Sequence, residues 1–194
     1  MLRTLLAPTG WLERTRYFAT ALRRQARSSQ GLLVVGTPDA EPWHMTAHLD
    51  DESRLAGLPG LVPTLIRWAP PPGAPPHLSV GIERLERARR DETLLVVTPE
   101  AAPAPLLERI ADARKTGTAI FALDQGDPEL DDLASETLSI PAEESPVSFD
   151  GAQHLVSLAL GEASAGSRPG GGAPGARPGW RTQLGRLLDT ISGA

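Results

Sequence analysis

The stretch TLLVVTPEAAPAPLLERI, residues 93–110, decides the fold. Thr93 to Val97 form a short apolar run suited to a strand buried on both faces of a parallel sheet. Pro99 and Pro103 punctuate a turn, and Leu106, Leu107, Ile110 and Ala113 then recur at helical spacing to a C-capping Gly117. A strand, a turn and a helix in this order form the place where α/β proteins hold phosphate groups, because helix N-terminal amides point outward there. This turn offers Thr98 as a hydroxyl donor, but Glu100 adds a negative charge, and prolines 99, 103 and 105 have no amide hydrogen.

The same alternation runs through the chain on both sides of this stretch. GLLVVG (31–36) reads as a first strand, and 41–57 as a helix with Asp39 as N-cap, Pro42 in its first turn and Gly57 at its end. VPTLIRW (62–68) reads as a second strand, and APPPGAPP (69–76) as an extended connector. The periodicity of Val80, Ile82, Leu85 and Ala88 predicts a helix over 77–92, with His77 at its entry. Strands at 118–123 and 136–141, an acidic helix at 128–134 and a closing helix at 149–162 complete the series. An N-terminal helix over 10–28 presents Trp11, Thr15, Phe18 and Leu22 as a core stripe beside a row of arginines. Short loops between alternating strands and helices specify a three-layer αβα sandwich, doubly wound on a five-stranded parallel sheet.

Composition narrows the function classes. The 194 residues suffice for one full domain, spanning 1–162. No apolar run is long enough for a membrane span, and MLRTLLAPTGW lacks the apolar core and cleavage site of a signal peptide, so a cytoplasmic protein is expected. With no cysteine, thiolate nucleophiles, disulfides and cysteine metal sites are excluded. The net charge of −5 argues against general nucleic-acid binding, although the first helix is locally basic. The scarcity of lysine beside abundant Arg, Ala, Gly and Pro fits a GC-rich, bacterial coding genome. Residues 163–179, rich in Gly, Pro and Ala, read as a flexible linker. Residues 180–194 read as an amphipathic helix that offers Trp180, Leu184, Leu187, Leu188 and Ile191 to a protein partner or to the domain itself.

Three segments carry a resemblance to a known family: GLLVVGTPDAEPWHMTAHL with RLAGLPGLVPTLI, then TLLVVTPEAAPAPLLERIADARKTGTAIFAL, then DPELDDLASETLSIP. Over residues 10–162 the chain resembles the sugar isomerase (SIS) domains, in particular the branch that holds sedoheptulose 7-phosphate isomerase and the DnaA initiator-associating protein. The resemblance implies an SIS-like sandwich that pairs through its helices as a homodimer or homotetramer, with sites between subunits. It also implies phosphate turns after the first and third strands, which here read GTPDAEP and TPEAAPAP. Gly36, Thr37, His44 and Thr98 remain as candidate ligand-binding positions, while Asp39, Glu41 and Glu100 bring carboxylates to the same mouth. The family's catalytic Glu falls on His48, and its catalytic His falls near Leu158, one turn beyond His154. One turn is about 5.4 Å along a helix, well outside hydrogen-bond reach.

Glu100, His48 and His154 are therefore the only candidates for acid/base work, and no catalytic residue is assigned. His44 and His48 stand at i, i+4 on one helix face, a spacing that also serves zinc hydrolases, with Asp51, Glu52 or His154 open as a third ligand. The pair alone does not assign a metal, and no cofactor is expected. The function that emerges is a non-catalytic SIS-like protein, a homo-oligomeric scaffold or regulatory protein-binding module. The alternative is a phosphosugar or carbohydrate-derivative binding protein, sensor or isomerase with an altered site.

Overall fold

The computed structural model describes residues 10–28, 31–143, 145 and 147–165. Helix α1 (Trp11–Ser28) leads into β1 (Leu32–Val35), α2 (Trp43–Ala56) and β2 (Pro63–Leu65). β3 (Thr93–Val97), α3 (Ala104–Thr116), β4 (Ala119–Asp124), α4 (Pro128–Leu133), β5 (Glu136–Ser139) and α5 (Phe149–Ala165) follow. The five strands pair in parallel in the order β2-β1-β3-β4-β5. The chain therefore winds outward from β1 to β2 and then returns to the other side of β1, which sets the topological switch point between β1 and β3.

Alternation along each strand builds two cores. Leu32, Val34, Leu95, Val97, Phe121 and Leu123 face one layer, where Phe18 and Leu22 of α1, Met45 and Leu49 of α2, and Val156 and Leu160 of α5 cover them. Leu33, Val35, Leu94, Val96, Ile120 and Ala122 face the other, against Leu106 and Ile110 of α3 and Leu130 of α4. The central strands are buried on both sides, hence their unbroken apolar spelling. The α1 stripe is buried throughout, and the Phe18 and Phe121 rings meet edge to face at 5.7 Å. One of the basic residues of this helix is buried with it: Arg23 donates from Nη1 to the Leu160 carbonyl of α5 at 3.0 Å.

Both C-capping glycines are left-handed, Gly57 at φ 63° and Gly117 at φ 97°. The cap of α2 corrects the expectation placed on Asp39: the N-cap is Pro42, without a side-chain hydrogen bond. The second strand is shorter than 62–68 and continues only as an isolated parallel bridge from Arg67 to Gly81.

That bridge also overturns the helix over 77–92. Val80 and Gly81 are extended, with the Val80 carbonyl accepting from Arg67 N at 2.8 Å, so two short 3-10 turns, Pro76–Leu78 and Ile82–Arg87, take the place of the helix. Ile82, Leu85 and Ala88 are three residues apart, a period that suits three residues per turn better than 3.6. Buried Glu92 fixes the segment through Arg84 Nη2 and through the Arg89 amide at 2.9 Å. At the far end, α5 runs three residues beyond the boundary at 162, into the stretch read as linker. The candidate partner helix at 180–194 lies outside the described residues.

Candidate functional site

The site lies at the carboxyl ends of β1 and β3, where the turns 36–42 and 98–103 face each other at the switch point. Gly36 is required by packing. A Cβ there would meet Pro42 Cδ at 2.8 Å and the Val97 carbonyl oxygen at 2.9 Å, with the Ala40 carbonyl oxygen nearer still. Its own carbonyl accepts from Trp68 Nε1 at 2.8 Å.

The donors that a phosphate would need are engaged inside the protein. The Thr37 hydroxyl, in a buried residue, donates to Glu100 Oε1 across the gap between the turns. Thr98, also buried, donates its hydroxyl to the Glu100 carbonyl at 2.6 Å and accepts from the Glu100 amide at 3.2 Å. The Ala102 amide, next to the N-terminus of α3, donates to Asp127 Oδ2 at 2.7 Å. Asp127 Oδ1 meanwhile caps α4 by accepting from Glu129 N and Leu130 N. Ala40 N donates to the Thr37 hydroxyl oxygen at 3.2 Å. Two hydroxyls and three amides of the turns are thus engaged inside the protein, and the four prolines at 38, 42, 99 and 103 have no amide hydrogen to offer an anion.

The mouth carries less net negative charge than its spelling implies. Glu41 pairs with Arg67 Nε at 3.0 Å, both side chains largely buried, and also accepts from Trp68 N and Trp43 Nε1. The Arg67 guanidinium lies 4.4 Å from the centre of the Trp43 ring, in cation–π geometry.

Beside the turns, α2 and α5 bring three histidines together. His44 Nε2 lies 2.7 Å from His154 Nε2 and 3.2 Å from His48 Nε2. The three ring centres form a near-equilateral triangle with sides of 4.5, 4.4 and 4.5 Å. Burial, followed by the charge of His44, lowers the pKa of His48 despite the opposing pull of Asp51. Burial also lowers that of His154, followed by His48 and His44, against Asp150. Glu52 is directed elsewhere, toward Gly161, where its Cδ would lie 2.8 Å from an added Cβ.

A cavity of about 130 Å³ connects the turns to this cluster, lined by Glu41, His44, Val97, Pro99, Asp150 and Gln153 among others. Pockets for small-molecule ligands usually start near about 300 Å³. A larger hollow of about 320 Å³ lies between α1 and β5 and shares no residue with the mouth.

The structure thus joins Thr37, Thr98 and Glu100 in one network and His44, His48 and His154 in a second, with Gly36 as the hinge of close approach. Sequence reasoning missed Asp127 and Arg67. An Asp directly before Pro128 is an N-cap signal that was legible, whereas the long-range pairing of Arg67 with Glu41 has no local signature.

No known family profile and no curated protein matches the chain. Solved structures do match. The sugar isomerase domain of an RpiR transcription factor from Sphaerobacter thermophilus is similar at TM-score 0.53 and 15% identity, covering 91% of this chain and 86% of that one. A protein of Silicibacter pomeroyi DSS-3 provisionally named a phosphosugar isomerase gives TM-score 0.56 at 18% identity, over 97% of this chain and 52% of that one. One from Salmonella typhimurium LT2, provisionally named a sugar binding protein, gives 0.55 at 16%, over 96% and 56%. The chain spans about half the length of these last two proteins. At these identities the likeness is one of fold, and the fold of this chain is the αβα sandwich of the sugar isomerase domains.

Proposed function

We propose that the protein is a non-catalytic SIS-like module that acts as a homo-oligomeric scaffold or regulator through protein contacts. The observation that carries this reading is the Glu100 carboxylate on the Thr37 hydroxyl, which sets a resident anion where the fold would seat a bound one. The Ala102 amide, engaged by Asp127, and the small mouth cavity support it. A fold neighbour that is one domain of a transcription factor is consistent with a regulatory use of the same fold. Exposed Tyr17 on α1, with Leu55 and Val62 on either side of the α2–β2 connection, supplies apolar surface for contact between helices.

The test is light scattering combined with a thermal-shift screen against a panel of sugar phosphates. More than one subunit and no stabilisation at millimolar ligand are expected. A monomer at tens of micromolar protein would overturn the oligomer, and saturable stabilisation by a sugar phosphate would restore the ligand-binding alternative.

A further inference from the structure

We propose that Asp124 at the end of β4, Asp131 on α4 and Ser139 on β5 bind one divalent cation of the magnesium class. The site lies beyond the two facing turns and does not depend on the scaffold reading. Its position follows from strand register. Leu123 and Leu138 pair across β4 and β5 and both face the core under α1, so the next pair, Asp124 and Ser139, points to the opposite face. That face is the one where Ile120 and Ala122 meet Leu130 of α4, and Asp131 is the residue after Leu130.

Asp124 carries an unsatisfied buried oxygen. The residue is 0% exposed, and its Oδ1 accepts from the Gly126 amide at 2.9 Å, whereas Oδ2, equally buried, accepts no hydrogen bond. Burial above all raises the pKa of Asp124, and the nearby Asp131 carboxylate adds to it, while the Gly126 amide and the Ser139 hydroxyl pull the other way. None of the ion pairs among the described residues includes Asp124 or Asp131. Arg114 of α3 places Nη1 on the Asp132 carbonyl at 2.5 Å rather than on either carboxylate.

A buried carboxylate beside a second carboxylate is costly unless a positive charge sits between them. The groups on offer are all oxygens, which select hard cations. Two carboxylates and one hydroxyl leave room for the waters that magnesium keeps in its octahedral shell, whereas calcium asks for more protein oxygens than these three. Asp131 is exposed, so the ion can enter and keep its waters on that side. Its charge would remove the penalty that burial sets on ionised Asp124 and tie α4 to the ends of β4 and β5. A proton shared by the two carboxylates is the competing way to satisfy Oδ2, and the experiment separates the two.

The experiment titrates EDTA-treated full-length protein with Mn²⁺, a paramagnetic substitute for Mg²⁺, and follows it by EPR and by broadening of amide NMR signals. Saturable binding that Mg²⁺ displaces is expected, with the amides of Gly126, Asp131 and Ser139 broadened first. Asp131→Asn and Asp124→Asn should each weaken this binding about 10-fold or more, because affinity follows the count of charged ligands, and Ser139→Ala should weaken it by less. Asp112→Asn, on the exposed side of α3, should leave it unchanged. Broadening in the wild-type protein decides the matter if a variant does not fold. Three results would overturn the site: no Mn²⁺ binding at millimolar concentration, broadening confined to other residues, or an Asp124 carboxyl that by carbon NMR keeps its proton at neutral pH in excess Mg²⁺.

Discussion

The Thr37 hydroxyl donates a hydrogen bond to the Glu100 carboxylate across the switch point between β1 and β3. This contact ties together the two turns that would otherwise cradle a ligand's phosphate. Glu100 is exposed in part, so the bond's net worth should be modest: Glu100→Ala and Thr37→Val should each cost about 1 kcal/mol in urea unfolding. The double variant should cost less than the sum, because both substitutions remove one interaction. Fully additive costs would mean that the two side chains are energetically independent.

Gly36→Ala should be far more damaging. The new Cβ would be driven into the carbonyls of Ala40 and Val97, which belong to backbone and cannot rotate away. A loss of about 3 kcal/mol or more is expected. Gly57→Ala offers a comparison, since only its left-handed φ opposes a side chain and nothing lies within 4 Å of the added Cβ, so about 1 kcal/mol is expected. Equal midpoints for the two variants would contradict the close approach at Gly36.

Asp127 ties the turn after β4 to the turn after β3, capping α4 with one oxygen and accepting from the Ala102 amide with the other. Asp127→Ala should cost about 2 kcal/mol, combining a lost cap with an unsatisfied amide. Asp127→Asn should recover little of this, because one of the two sites would then face the NH2 group, donor against donor. An Asn variant as stable as wild type would show that only the cap matters.

His48 and His154 make stability depend on pH. Their pKa values in the fold lie below the ordinary 6.5, so the unfolded chain binds more protons over the window between the two. Stability from His48 and His154 is complete above about pH 6.5 and is lost as pH falls through that value toward the lowered ones. Denaturation midpoints of wild type should therefore fall more steeply with acidification than those of a His48→Asn, His154→Asn double variant. Parallel curves would argue that the rings are not buried together.

Much of the fold was legible because local rules and global architecture agree. The apolar spelling of β1, β3 and β4 reports double burial, and Gly57 and Gly117 mark helix ends at which only left-handed backbone closes the turn. Residues 77–92 were misread because Val80, Ile82, Leu85 and Ala88 satisfy a helical stripe, while the pairing of Gly81 with Arg67 that prevents it is long-range. At the site, the turn residues Thr37, Thr98 and Glu100 were visible as types, but which donor meets which acceptor depends on the approach of two loops. Spacing gave only the pair His44 and His48, with Asp51, Glu52 and His154 all open as the third group; the packing of α5 on α2 brings His154 there.

The most direct test of an internally closed phosphate turn is an amide NMR titration of the protein with glucose 6-phosphate or fructose 6-phosphate. No shift is expected at Thr37, Glu100 or Ala102 up to about 10 mM ligand, a ceiling that corresponds to a binding free energy weaker than about −3 kcal/mol. Saturable shifts confined to these amides would contradict it.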